Sequence, residues 1–119
     1  MRGAEWISDR LLVSAVFATH GLLDAFVTLS AFASSETTEM ESNPLIRDVL
    51  QAALLEASHA ASDTVWPHLG PAVVLMVGVP AVACLGIWLV RDRVPAWRTW
   101  TGLLALSGLL IVVNNLLAF

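Results

Sequence analysis

Three long apolar runs divide this chain: Leu11–Ala33, Pro71–Val90 and Trp97–Phe119. Each holds about 20 residues or more, and at ~1.5 Å rise per residue a helix of that length crosses a hydrocarbon core of ~30 Å. The pattern predicts transmembrane helices over about residues 11–33, 71–90 and 97–118. Between the first two runs the pattern changes. Leu45, Ile46, Val49, Leu50, Ala53, Leu54 and Ala57 recur at helical spacing, and Arg47, Asp48, Gln51, Glu56 and Ser58 fill the other face. That stretch, about residues 44–60, predicts an amphipathic helix lying on a membrane surface, too short and too polar to span. The fold class expected is therefore an all-α membrane protein. It has three transmembrane helices plus one external amphipathic helix, in a single membrane domain over residues 1–119.

The punctuation between runs agrees with this division. Asn43-Pro44 opens the amphipathic helix: Asn is a strong N-cap, and Pro at the first helical position lacks only an N–H that has no helical partner. Pro67 and Gly70-Pro71 break the chain before the second run, and Pro95 precedes the third. Pro80, with Gly78 just before it, lies inside the second run and predicts a kink there. Ala31-Phe32-Ala33 has the form of a signal-peptidase site, but the run before it is too long for a signal peptide and holds His20 and Asp24. It reads as a retained span.

Charge sets an orientation. Arg2 and Arg10 precede the first run, and Arg91, Arg93 and Arg98 surround the short second connection. With three spans those regions share one side, which the positive-inside rule makes cytoplasmic. The longer first connection carries Glu36, Glu39, Glu41, Asp48, Glu56 and Asp63 against Arg47 alone, and belongs outside. The N-terminus is thus expected inside and the C-terminus outside, in a multi-pass cell-membrane protein. Trp6, Trp88, Trp97 and Trp100 are expected in the inner aromatic belt and Trp66 in the outer one.

Composition narrows the function classes. Hydrophobic residues make up 57% of the chain and charged residues 13%, where a soluble domain has about 25%. There is no Lys, the formal net charge is −4, and the acidic excess outside the spans suits a high-salt, archaeal-like setting. A basic nucleic-acid footprint is absent. Cys84, the one cysteine, lies inside the second run and reads as a small apolar residue with no disulfide to form.

The chemistry concentrates on the first span. Asp24 lies near its middle, where an ionisable group costs roughly 2.5–3.5 kcal/mol on insertion scales. His20, Asp24 and Thr28 are spaced i, i+4, i+8, which puts them on one helical face, turned into the bundle. Asn114 and Asn115 interrupt the third span, and being about 100° apart only one of them should point inward. With Glu41, Asn43 and Pro44 entering from outside, a polar pocket in the outer leaflet is expected from Asp24, Thr28, Asn43, Asn114 and Glu41. Two readings stay open: hydrogen-bonded glue between helices, or a site for an ion, a proton or a small polar group.

Other chemistry has less support. His20-x-x-x-Asp24 and His59-x-x-x-Asp63 share the HxxxD spacing, which can offer an imidazole and a carboxylate to one zinc ion. The two turns lie at different depths, however, so His59, Asp63 and His68 are the metal-ligand candidates, as a small external cluster, beside the alternative of solvated loop residues. Ser14, Ser30 and Ser107 have no evident His partner at a shared depth. HExxH and Gly-rich phosphate loops are missing, and the reading leans away from an enzyme. No cofactor is called for.

These motifs resemble a family of short three-span membrane proteins of archaea and bacteria, to which no reaction is assigned. The resemblance rests on Asp24-Ala25-Phe26-Val27-Thr28 in the first span, Glu41-Ser42-Asn43-Pro44-Leu45 opening the external helix, and Asn115-Leu116 late in the third span, and covers about residues 11–118. This chain departs from the pattern in two places. Where such proteins often carry a Lys in the second span it has Met76-Val77-Gly78, and where they often have Asn before the Asp it has Gly21. The resemblance implies an integral membrane protein and supplies no activity. The expectation is an interaction or accessory subunit of a membrane complex, or a homo-oligomer, with lipid and another protein chain as partners. The alternative is an ion- or proton-handling protein centred on Asp24. An enzyme acting on lipid or peptide at the outer leaflet is the third possibility.

Overall fold

The structure is a computed structural model that describes residues 8–35 and 43–118. Every element among the described residues is helical: α1 Asp9–Phe17, a π-helical turn Ala18–Leu23, α2 Asp24–Ser35, α3 Pro44–His59, a 3₁₀ turn Trp66–His68, α4 Gly70–Leu89 and α5 Trp97–Ala118. α1, the π turn and α2 form one continuous rod. Among the described residues, that rod, α4 and α5 are the three helices long and apolar enough to cross a membrane.

The rod is the middle helix. It packs against α4 on one side and α5 on the other, whereas α4 and α5 meet mainly where the connection 90–96 joins them. Burial follows from this placement: 28% of the rod's most apolar window is enclosed, against 17% in α4 and in α5. His20, Asp24 and Thr28 therefore lie on the helix with protein on two sides, where polar groups can find partners.

Local sequence explains the ends. Ser8 accepts the Leu11 amide at 3.1 Å and caps α1. Asn43 Oδ1 accepts the amides of Leu45 at 3.0 Å and Ile46 at 3.4 Å, so the Asn-Pro pair starts α3 as its chemistry dictates. α3 ends in a Schellman motif. The Ser62 amide donates to Ala57 O and the Ala61 amide to Ser58 O, with Ala61 at φ 53 in the left-handed region where glycine is usual. Trp97 begins α5 and donates its indole N–H to Ile87 O at 2.8 Å, which closes the α4–α5 connection. At the same end Arg98 pairs with Asp9, tying the starts of α5 and α1.

The structure adds four features to the sequence-based expectation. α4 is helical throughout Gly70–Leu89 with Pro80 inside it, and a departure from α geometry falls in the rod, at the π turn. Thr19 sits in that turn with its hydroxyl bonded back to Ala15 O at 2.9 Å and Val16 O at 3.2 Å, which competes with the regular ladder. α3 packs along one side: Leu50, Ala53 and Ala57 are buried in one core with Ala25, Leu29 and Phe32 of α2 and Ala72 and Met76 of α4, while Leu45 and Leu55 stay exposed. Trp97 is buried rather than part of an interfacial belt, while Trp66 and Trp100 are exposed. Trp6 lies outside the described residues.

Candidate functional site

The polar seam lies between the rod and α5. Thr101, Gly108 and Asn115 recur at i, i+7 and i+14 on α5, with Ala105 and Val112 between them, and that repeat keeps one face turned to a neighbouring helix. Thr101, Gly108 and Val112 are buried. At Gly108 the two helices approach so closely that a Cβ would meet Thr19 Oγ1, with His20 Cδ2 at 2.6 Å and His20 Nε2 at 2.8 Å. On its other side the π turn meets α4: a Cβ on Gly21 would lie 3.1 Å from the Phe17 ring and 3.4 Å from Pro80. The π turn therefore sits at a pinch between Gly108 and Pro80, with small residues where backbone comes closest.

Hydrogen bonds cross the seam at two levels. His20 Nε2 lies 2.8 Å from the backbone oxygen of Leu104. A carbonyl only accepts, so Nε2 carries the hydrogen and donates it. Ser107 Oγ donates to the same carbonyl at 2.8 Å and lies 3.4 Å from His20 Nε2, so Ser107 does have a histidine at its own depth. The shared acceptor makes this a junction of two donors, with no activated hydroxyl. Further along, Asn115 Nδ2 donates to Asp24 Oδ1 at 2.9 Å. Thr28 is buried on the next turn at 6% exposure.

The expected outer-leaflet pocket is not assembled as the sequence suggested. His20, Asp24 and Asn115 do meet across the rod–α5 seam, but Asn114 is exposed and Asn43 is exposed and caps α3. Pro44 is exposed as the first residue of α3, and Glu41 lies outside the described residues. Gly108, Ser107 and the Leu104 carbonyl belong to the seam and were missed by residue-type reasoning. The seven-residue repeat through Asn115 points to Gly108 but not to Ser107 or Leu104.

The external candidates also regroup. Among the described residues no group of three His, Cys, Asp or Glu side chains is placed to hold a metal ion. His68 turns instead to Glu56, with Nδ1 3.4 Å from Oε1, and to Ser62, with Nε2 2.8 Å from Oγ. His59 and Asp63 are exposed. Comparison of the chain with protein-family models, with curated proteins and with solved structures found no match.

Proposed function

We propose that this chain is an integral membrane protein that works as an interaction subunit, in a larger membrane assembly or in an oligomer of its own, with its N-terminus cytoplasmic and its C-terminus external. One observation carries the reading: the polar residues of the spans join the rod to α5, while α4 turns an almost unpacked apolar face outward. Gly86 on α4 has nothing within 4 Å of where a Cβ would stand, and a small residue of this kind lets a second helix approach closely. Arg91 and Arg93 at the end of α4 support the orientation, as does the acidic connection at the opposite end. The three-span family that the DxxxT, ExNPL and Asn-Leu motifs resemble is part of the same proposal.

Native mass spectrometry of the protein released gently from its own membrane tests it. A complex of two or more chains supports the reading, and a lone chain overturns it. A second reading, ion or proton handling at Asp24, draws on the π turn directly before that residue, since π turns recur at functional sites. It requires Asp24→Asn to abolish a flux while leaving assembly intact. The Asp24–Asn115 and His20–Leu104 bonds favour the first reading, because each gives a costly intramembrane group a structural partner.

A further inference from the structure

The turn after α3 aligns three side chains in the order of a nucleophilic relay. Glu56 Oε1 lies 3.4 Å from His68 Nδ1, and His68 Nε2 lies 2.8 Å from Ser62 Oγ. The Glu56–His68 contact is an ion-pair distance and not a hydrogen bond, with the Glu56 side chain 66% exposed; the carboxylate, which only accepts, favours the tautomer with hydrogen on Nδ1. That leaves the Nε2 lone pair to accept from the Ser62 hydroxyl. A carboxylate orienting one ring nitrogen while the other takes a serine proton is how such hydroxyls are activated on unrelated folds.

The backbone around it is fixed. Ser62 follows directly on the left-handed Ala61, and its amide closes α3 through Ala57 O at 3.0 Å. The hydroxyl is not needed for that closure and sits on an exposed residue. His68 ends the 3₁₀ turn and donates its own amide to Val65 O at 2.9 Å, and Val65 and Leu69, near it in the chain, are buried. Its side chain is 13% exposed, so the ring is shielded while the serine is reachable.

The surroundings indicate the substrate class. Pro71, three residues on from His68, begins an open apolar groove of about 890 Å³ that runs along α4 past Val74 and Val79 and is flanked by Leu45 of α3. Its surface is that of a helix apolar enough to lie in a bilayer, so an acyl chain is the occupant it fits. Trp66, exposed beside His68, is a residue type found at the level of lipid headgroups.

We propose that Ser62, His68 and Glu56 hydrolyse carboxylic esters of acyl chains at the membrane surface. Ser62 Oγ bonds to the ester carbonyl carbon as its proton passes to His68 Nε2. The carbon–oxygen bond to the alcohol then breaks, and the alcohol leaves with the proton from His68. A water molecule, deprotonated by His68, attacks the acyl-serine. The bond to Ser62 breaks, the serine recovers its proton, and the carboxylic acid departs. One water is consumed and nothing is oxidised or reduced. Glu56 is a positioning residue throughout.

The test uses the full chain in lipid nanodiscs, an alkyl fluorophosphonate probe that bonds to activated serines, and 4-nitrophenyl decanoate as ester. The expected result is phosphonylation of Ser62 in the unsubstituted protein, located by peptide mass spectrometry. Ester hydrolysis disappears in Ser62→Ala. His68→Gln slows labelling by about 100-fold or more, the usual scale for loss of a general base. Glu56→Gln lowers kcat with KM unchanged, and Glu56→Asp recovers part of the loss. Absence of probe on Ser62 of the folded, unsubstituted chain overturns the proposal, and so does hydrolysis that persists in Ser62→Ala. The first of these readouts requires no variant to fold.

Discussion

Asn115, about one turn from the end of α5, donates its side-chain amide to Oδ1 of Asp24, the first residue of α2, at 2.9 Å. The bond gives the carboxyl that is hardest to place in a bilayer a partner on a neighbouring helix. It also fixes the rotation of α5, because Asn114, one position earlier, is left on the exposed side. Replacing Asn115 by Leu should lower stability by about 0.6–2 kcal/mol, the range found for hydrogen bonds between membrane helices. Asn114→Leu should be near neutral. Reversible unfolding in mixed micelles distinguishes the two, and equal effects would count against this rotation.

Gly108 is the point of closest approach between α5 and the rod. An added methyl would run into Thr19 and His20, whose side chains are already bonded to Ala15, Val16 and Leu104. Gly108→Ala should cost about 1–3 kcal/mol, as overpacking does elsewhere. Gly102→Ala on the same helix has nothing within 4 Å of the new methyl and should be tolerated. Thermal denaturation of both variants checks the contrast.

Ala61 holds a left-handed conformation at φ 53 in the Schellman turn that ends α3. An L-residue pays roughly 1–2 kcal/mol there, and glycine gives back about 0.5–1 kcal/mol in chain entropy. Ala61→Gly should therefore stabilise the turn by up to ~1 kcal/mol. Hydrogen exchange of the last turn of α3 should slow, and faster exchange would contradict the turn geometry.

Asn43 carries the start of α3 through its bonds to the amides of Leu45 and Ile46. Asn43→Ala should cost about 1 kcal/mol, confined to α3. Exchange should rise at residues 45–47 and stay unchanged in α5.

The three long helices and α3 were legible because hydropathy and helical spacing are local signals, and Asn43-Pro44 marks a helix start within two residues. Asp24 and His20 stood out because ionisable groups are rare at that depth. What surrounds them was not legible. Gly108 and the Leu104 carbonyl carry no chemical signature of their own and enter the seam only through the packing of α5 on the rod. The π turn lies at the pinch between Pro80 and Gly108, which involves residues far apart in the chain. The partners of α3 were hidden for a related reason. An amphipathic stripe shows that one face must be covered, and only the three-dimensional packing shows that Leu50, Ala53 and Ala57 share a core with Phe32 and Met76. Ser62 was hidden because Glu56, Ser62 and His68 follow no fixed motif and meet through the left-handed turn at Ala61.

A double-mutant cycle on Asp24 and Asn115 measures the pairing of the rod with α5 most directly. Asp24→Ala, Asn115→Ala and the double variant would be unfolded reversibly in the same micelles. A coupling of about 0.6–1.7 kcal/mol, with the double variant less destabilised than the sum of the singles, is the expected result. Effects that simply add, with no coupling, would show that the two side chains do not hold the first and third spans together.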